Sequence, residues 1–507
     1  MQGTSDPNLE FLDAIAFCRH LVEKGSVAEF LADHRQRLFP DEMFEDLFPS
    51  GRGRPSVPAD VIATVMVLQS LEGLSDRDAI RQLRTNIAWK VATGLALDDE
   101  GFHPTVLTLW RNKLRVSKKP QRIFDAVRQV IDATGVLAGK RRRVLDSTVL
   151  DDAVTRQDAI MQLVAQIRKV RRLVPAAHDL VLKAHDYDQD AGKPQCAWND
   201  PQDIDRVVTE LVRDAQTVLS TLADVHLGDV QAEAVGLLAL VAGQDVEPGD
   251  TDGTWRIAQR TAPDRMVSVH DPESRHAHKT THNYRDGFKA HIAVEPDTGL
   301  ITADDLTAGN VGDSQAAPKL LEGEPPGLEV QGDSAYGAGE FRAHLVTKEH
   351  TAVIKPGPLT SKIPGGFSID DFVIDLVGRT ATCPAGNRVT IVPSGGASFR
   401  QFCRGCPLRE RCTTSQRGRH LTINPHHDLL YAARRQAETP EFKEPYRQHR
   451  PMVERTIAWI VRKGNRRVPY RGIARNRIWF STRNAAINLQ RLLNLGLHQT
   501  PDGWAVG

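Results

Sequence analysis

The segment from Tyr446 to Lys463 constrains this chain more than any other stretch of its sequence. Its apolar residues recur at the spacing of one helix face: Val453, Ile457, Ile460 and Val461. Pro451 suits the start of that helix, which places Glu454 on its first turn. From Arg447 to Arg491 the chain has 12 Lys or Arg and a single acid, which is Glu454 itself. A lone carboxylate among so many cations favours a metal ion that works beside a phosphate backbone.

Two other stretches could bring carboxylates to the same metal ion. Residues 143–150 form a β-branched apolar run with Asp146 in its middle, preceded by the basic residues 140–143. Residues 327–337 lead a strand into a Gly-flanked turn, with Asp333 at its end. Hard oxygen ligands from strands and a helix can hold Mg²⁺ and leave sites for water and phosphate oxygens. Taken alone, either Asp is explained as well by a turn or strand-edge carboxylate.

Several strings in this chain resemble those of a known family. Leu145-Asp-Ser-Thr148 and Gly332-Asp-Ser-Ala-Tyr-Gly337 resemble the first two acidic motifs of the DDE transposases of bacterial insertion sequences. The family's tyrosine-arginine-glutamate-lysine signature resembles a further set: Tyr446, Arg450, Glu454 and Lys463. Lys463 lies farther downstream of Glu454 than the lysine of that signature usually does. Segments similar to those that join the first two acids occupy residues 271–275, 284–294 and 307–313, and the resemblance spans roughly residues 55–495.

The resemblance implies both a fold and an activity. The fold would be α/β, a ribonuclease-H-like mixed-sheet catalytic core. The activity would be that of a transposase that binds the terminal inverted repeats of its element and catalyses Mg-dependent strand cleavage and strand transfer. Asp146, Asp333 and Glu454 would hold two Mg²⁺ ions, which Mn²⁺ can replace. The residues expected to contact DNA are Tyr446, Arg450, Arg462, Lys463, Arg466 and Arg467.

The expected partner is double-stranded DNA, bound by a homodimer so that both ends are handled together. Two other classes of protein stay open. One is a metal-dependent nuclease of the same fold, and the other is a catalytically inactive DNA-binding protein derived from a transposase.

Length and composition agree with an ordinary globular protein. At 507 residues the chain can form about three domains, and it is 40% hydrophobic and 25% charged. No apolar run approaches the ~20 residues that a membrane helix requires. The N-terminus lacks a charged region followed by an apolar one, so we expect no membrane partner and a cytoplasmic location.

Charge is distributed unevenly along the chain, although the net charge is only +1. Residues 111–143 hold 11 Lys or Arg against two Asp, whereas residues 221–253 hold seven acids and no Lys or Arg. Such segregation leaves basic surfaces for phosphates, and the alternative is that these runs are solvated helix faces.

The pattern of apolar residues and the resemblance together predict how the chain is divided. The pattern predicts that residues 1–120 are helical, and the resemblance implies that they form an N-terminal DNA-binding domain, with the catalytic domain at residues 137–507. The latter would carry a helical insertion at 152–250 and a cysteine-containing insertion at 357–440. Helices at 58–71 and 76–85, joined at Gly73 and capped by Ser75, are typical of a helix-turn-helix module and equally of simple helix packing.

Four cysteines form a second group of candidate ligands: Cys383, Cys403, Cys406 and Cys412. Their thiolates could hold a structural Zn²⁺ in a loop-rich insertion with little core of its own, and the alternative is free or redox-active thiols. The histidines at 270, 276, 278, 282 and 291 fit no standard ligand spacing. We therefore expect them to form a polar loop that contacts phosphates.

Overall fold

The computed structural model of the chain describes residues 1–5, 12–50, 52–260, 262, 264–278, 284–501 and 503–507. The α-helices are α1 Ala14–Cys18, α2 Val27–Leu38, α3 Ala59–Glu72, α4 Asp76–Thr85, α5 Ile87–Thr93, α6 Thr105–Val116, α7 Arg122–Thr134, α8 Ala159–Leu173, α9 Pro175–His178, α10 Pro201–Thr221, α11 Asp229–Gln244, α12 Asp313–Leu320, α13 Gly339–Thr347, α14 Arg409–Cys412, α15 His427–Gln436, α16 Pro440–Val461 and α17 Ile473–Asn494. Within these described ranges, no helix is both long and apolar enough to cross a bilayer.

The strands are short except in the central sheet. They are β1 Arg142–Asp151, β2 Val246–Pro248, β3 Trp255–Ile257, β4 Arg275–His278, β5 Tyr284–Val294, β6 Ile301–Ala308, β7 Glu329–Gly332, β8 Thr351–Ile354, β9 Val373–Asp375, β10 Thr380–Thr382, β11 Arg388–Thr390, β12 Gly396–Ser398, β13 His420–Thr422, β14 His498–Thr500 and β15 Gly503–Ala505.

The central sheet is mixed and has the order β6-β5-β1-β7-β8, with β4 pairing to the first part of β5. β5 runs antiparallel to both β1 and β6, whereas β1, β7 and β8 are mutually parallel neighbours. This arrangement is a ribonuclease-H-like core, as the sequence predicted. The alternation of residues along β5 explains its central place, because Phe288, Ala290, Ile292 and Val294 are completely buried.

The N-terminal helices share one hydrophobic core with this sheet. Buried side chains of α3, α6 and α7 belong to the same cluster as those of β5, β6 and α17. Helices α3 and α4 have the bounds that the sequence predicted to within one residue, and Gly73 ends α3 in the left-handed conformation (φ 70°). Every residue of α3 from Ala59 to Ser70 is buried, so α3 itself cannot touch DNA.

The start predicted for α16 is wrong. The helix begins at Pro440, and both Pro445 and Pro451 lie inside it. Pro451 is on the exposed side of the helix, where water can satisfy the carbonyl that loses its N–H partner. Glu454 therefore lies deep in a long helix and not on its first turn.

Both insertions have packing of their own. Helices α8, α10 and α11 lie within the segment 152–250 for which the sequence predicts a helical insertion, and they surround a separate core that contains Leu163, Val208 and Leu238. In the cysteine-containing insertion, two small sheets (β9 to β11, and β12 with β13) enclose another small core, centred on Phe372 and Phe399.

Candidate active site

The guanidinium group of Arg450 contacts all three predicted acids. Arg450 Nη2 lies 2.8 Å from Asp146 Oδ1 and 3.6 Å from Asp333 Oδ2. Arg450 Nε lies 3.7 Å from Glu454 Oε1, one helical turn farther along α16. The acids are separated by hundreds of residues in the chain, yet all three carboxylates contact the same side chain.

Local structure explains how each acid reaches this place. Asp146 is in the middle of β1, against which α16 packs. Asp333 follows β7 and caps a short 3-10 turn, where its Oδ1 accepts a hydrogen bond from Ala335 N at 2.9 Å. Its Oδ2 is thereby left to face Arg450. Exposure of the side chain rises from 14% for Asp146 to 43% for Asp333 and 64% for Glu454, so the site opens to solvent on the side of α16.

Burial controls the electrostatics of this group. It raises the pKa of Asp146 to about 6, and the charge of Arg450 offsets only part of that effect. Arg450 is itself buried, and its Nη1 donates a hydrogen bond to Leu145 O at 2.7 Å. Although burial alone would lower the pKa of Arg450, the neighbouring carboxylates raise it above its usual value. The site is thus an acidic cluster held together by one internal cation.

The donor atoms suit a hard divalent cation, because they are carboxylate oxygens from the middle of one strand, the end of another and one helix. In the part of the chain that the structure describes, however, no three His, Cys, Asp or Glu side chains are arranged so that they could hold a metal ion. Arg450 lies among the three carboxylates, where its positive charge balances theirs. A cation that bound these three carboxylates would therefore compete with Arg450 for them.

The other residues predicted to contact DNA divide into two groups. Tyr446 is half-buried beside the acids and stacks on Phe442. Burial raises its pKa, Arg450 lowers it in part, and the nearby carboxylates add to the rise. Arg466 donates a hydrogen bond to Thr148 Oγ1 at 2.7 Å, so it fastens the loop after α16 to β1. The second group lies on that loop with exposed side chains: Arg462, Lys463 and Arg467.

Lys463 does not join the acids. It has a left-handed backbone (φ 58°), and its Nζ lies 3.5 Å from Leu71 O at the end of α3. Its segment, residues 463–470, lines a groove together with residues 69–77 of the α3–α4 turn. The loop therefore joins the catalytic part of the chain to the predicted helix-turn-helix.

Asp313 is a polar residue of the site's surroundings that sequence reasoning missed. It accepts a hydrogen bond from Ser147 Oγ at 2.8 Å and lies 3.2 Å from Lys289 Nζ. Ser147 follows Asp146 in β1, so Asp313 holds the strand from the opposite face of the sheet. Asp313 ends the segment 307–313 that resembles the family, but nothing in that segment indicates a role for it, because an acid on the first turn of a helix such as α12 is common.

If the three acids hold Mg²⁺ for DNA cleavage, as the resemblance implies, replacement of Asp313 by asparagine should raise the Mg²⁺ concentration for half-maximal cleavage. Because Asp313 fixes Ser147, the neighbour of Asp146, we expect a rise of about 10-fold, the lower end of the effect of losing a group that directly orients a metal ligand. Titration of Mg²⁺ in a cleavage assay measures this. Glu322→Gln is the matched control, since Glu322 is an exposed acid just beyond the same helix. An unchanged Mg²⁺ requirement in Asp313→Asn would show that the contact with Ser147 is irrelevant to the site.

The raised pKa of Asp146 predicts a pH-dependent metal requirement. A cation binds the ionised carboxylate, so below pH about 6 protons compete with it. The Mg²⁺ concentration for half-maximal cleavage should rise about tenfold for each pH unit below that value, since one proton is displaced. Because the folded state holds this proton more tightly than the unfolded chain, Asp146 makes the metal-free protein less stable as pH rises from about 4 to about 6. Cleavage rates measured between pH 5 and 8 at several Mg²⁺ concentrations test the predicted rise in the Mg²⁺ requirement. The same Mg²⁺ requirement at every pH would contradict it.

The four predicted zinc ligands do lie together. Cys383, Cys403, Cys406 and Cys412 line one cavity of the insertion, and all four are free thiols. Burial, together with the neighbouring thiols, raises the pKa of Cys412. Within the described residues, these cysteines too lack an arrangement in which three or more side chains could hold a metal ion.

The prediction of a histidine loop that contacts phosphates is wrong for His291. That residue is completely buried, and burial lowers its pKa to about 4. Its Nε2 is 2.9 Å from Thr307 Oγ1, so the imidazole forms a hydrogen bond between β5 and β6 inside the protein. His276 bonds with Asp286 at 2.6 Å. His282 lies outside the described residues.

Comparisons with known proteins give two matches to family models. Residues 18–113 match a model described as a transposase domain. Residues 382–493 match a model described as a transposase DDE domain, which includes Arg450 and Glu454. No curated protein and no solved structure matches the chain.

Proposed function

This chain belongs to the DDE transposases of insertion sequences, and from that premise we propose that it binds the terminal inverted repeats of its element and catalyses Mg-dependent DNA cleavage and strand transfer. The main support for the proposal is that Asp146, Asp333 and Glu454 all contact Arg450. Three carboxylates with one internal cation leave excess negative charge, which divalent cations would neutralise.

The proposed chemistry gives each side chain a role. The three acids would hold the cations, which would activate a water or a DNA 3′-hydroxyl and stabilise the leaving oxygen. Arg450 would keep the carboxylates together before the cations bind. Tyr446 would help to place the end of the DNA beside them. Glu454 is the most exposed acid, so the scissile phosphate would approach from its side.

The contacts with DNA would come from two neighbouring elements. Arg462, Lys463 and Arg467 expose their side chains on the loop after α16. Arg77 and Arg81 are exposed on α4, which follows the turn that this loop meets. Because α3 is buried, α4 is the helix that we assign to DNA recognition. We propose that the reaction takes place in the cytoplasm, in a homodimer that handles both ends.

The test uses purified protein, Mg²⁺ and labelled DNA that carries the terminal repeats of the element. Joined products support the proposal. Cuts without joining would indicate a metal-dependent nuclease, and mobility shifts alone would indicate an inactive DNA-binding protein. Sedimentation of the protein with and without the DNA tests the homodimer.

We further propose that the four cysteines hold one structural Zn²⁺, since tetrahedral thiolate sites stabilise small inserts with little core. Protein purified without chelator should contain about one zinc per chain, by analogy with other structural sites. Cys406→Ser should lose that zinc and melt at a lower temperature, whereas Cys18→Ser, outside the insertion, should keep it. Metal analysis that finds no zinc in the unaltered protein would refute this part.

A further inference from the structure

The cysteine-containing insertion has a strongly basic surface that the proposed active site does not use. From residue 376 to residue 427 the chain has eight Arg and a single acid, Glu410. Several of these arginines line one broad groove across β11, β12 and the loops that follow them. Its polar lining residues are Arg388, Thr390, Ser398, Arg400, Gln401, Arg404, Arg409, Gln416, Arg417 and His420. The groove thus has five guanidinium groups and no carboxylate among the residues that line it.

Three of these cations are not neutralised within the chain. Arg400, Arg404 and Arg417 are exposed, and none of their side chains forms an ion pair or hydrogen bond with the residues that the structure describes. Arg388 lies 3.8 Å from Asp375, a weak contact at the surface. Arg409 donates to backbone carbonyls of its own loops, including Cys403 O at 3.3 Å. Clustered like charges repel one another, so this arrangement favours an anionic partner.

The lining identifies the kind of anion. Guanidinium, amide and hydroxyl groups donate hydrogen bonds to phosphate oxygens, and Arg does so with two parallel bonds. Among the described residues that line the groove there is no Phe, Tyr or Trp on which bases could stack in succession, and the one ring is the imidazole of His420. The apolar lining consists of Val389 and Val392. An interface with a protein usually has buried aromatic anchors, which are absent from these lining residues. A regular phosphate backbone fits the surface best.

The insertion is also connected to the catalytic core. It lies between β8 and α16 in the chain, and α15 at its end packs against α13 beside the sheet. Arg434 of α15 pairs with Asp370 of the insertion, which fixes the two elements to each other. DNA held in the groove would therefore be held by the same body that carries Glu454.

We propose that this groove binds the phosphate backbone of duplex DNA, as a second, sequence-independent contact outside the acidic site. The inference rests on the proposed function for the identity of the substrate. Contacts of this kind add affinity and fix the orientation of the duplex, and they do not read its sequence.

The test is a triple variant of the full chain, Arg400→Gln, Arg404→Gln and Arg417→Gln. Because these side chains have no partner within the described residues, the fold should be unaffected, which thermal unfolding checks. The matched control removes three charges elsewhere: Lys24→Gln, Lys183→Gln and Lys348→Gln, all exposed. Binding to labelled duplexes with and without the terminal repeats is measured over a series of salt concentrations.

The triple variant should bind both duplexes at least tenfold more weakly than the control variant does. Its plot of log affinity against log salt should be shallower by about 3, since each lost phosphate contact removes about 0.9. Equal affinities and slopes for the two variants would overturn the proposal, as would weakened binding to a duplex RNA with unchanged binding to DNA. If the unaltered protein binds DNA through the groove but never cuts it, the proposed function fails and this inference stands. If the unaltered protein cuts DNA and the triple variant binds DNA as well as the control does, the proposed function stands and the inference about the groove fails.

Discussion

Replacement of Asp333 by asparagine should abolish both DNA cleavage and strand transfer. Asparagine keeps the shape of the side chain and can still accept the hydrogen bond from Ala335 N that caps the 3-10 turn. It removes the negative charge that faces Arg450 and that a cation would require. Loss of several kcal/mol of transition-state stabilisation from a metal site corresponds to a fall in rate of about a thousandfold or more.

The measurement is the rate of cleavage of labelled terminal-repeat DNA at saturating Mg²⁺, with binding followed by mobility shift in the same samples. DNA affinity should change little, since Asp333 is acidic and is not a phosphate ligand. Asp252→Asn is the control, because Asp252 is an exposed acid near the end of the helical insertion. Cleavage by Asp333→Asn at a rate near that of the control would remove Asp333 from the reaction.

Replacement of Arg450 by glutamine should both destabilise the metal-free protein and inactivate it. The buried guanidinium is the cation nearest to Asp146, and it also donates to Leu145 O. Removal of one partner leaves a buried charge and a backbone carbonyl without their partners, which costs about 3–5 kcal/mol of the free energy of unfolding. Added Mg²⁺ should restore part of this loss, because a cation at the acids replaces the missing charge.

Chemical unfolding in EDTA and in Mg²⁺ shows whether Arg450 acts as the counter-ion of the three acids or has a purely structural role. The stabilisation by Mg²⁺ should be larger for Arg450→Gln than for the unaltered protein. Arg447→Gln is the matched control, since Arg447 lies one turn earlier on α16 and is exposed. If Arg450→Gln were as stable in EDTA as the control, or gained nothing from Mg²⁺, Arg450 would not be the counter-ion of the site.

Much of the architecture was predictable from local patterns. The β-branched run around Asp146 and the cap at Ser75 each act over a few residues, and the strand and the helix that they predict are confirmed. The acids could be named because their strings resemble those of a known family. Their convergence on Arg450 depends on contacts across hundreds of residues, which no local pattern reveals.

The predictions that were wrong or not made also concern contacts that local patterns do not reveal. Pro451 predicts a helix start because proline lacks an N–H, but an exposed position inside a long helix tolerates that loss. The polar neighbours of His291 in the sequence predict an exposed loop, whereas its position within β5 buries it completely. Asp313 resembled any first-turn acid, and its importance appears only when Ser147 is seen on the face of β1 opposite α16.

The central claim is that Asp146, Asp333 and Glu454 form one cation site, and anomalous X-ray diffraction from crystals soaked in Mn²⁺ tests it most directly. The account predicts manganese peaks about 2.1 Å from carboxylate oxygens of all three residues, with the Arg450 guanidinium displaced from their midst. Manganese bound elsewhere, or crystals in which Arg450 still contacts all three acids in saturating Mn²⁺, would contradict it.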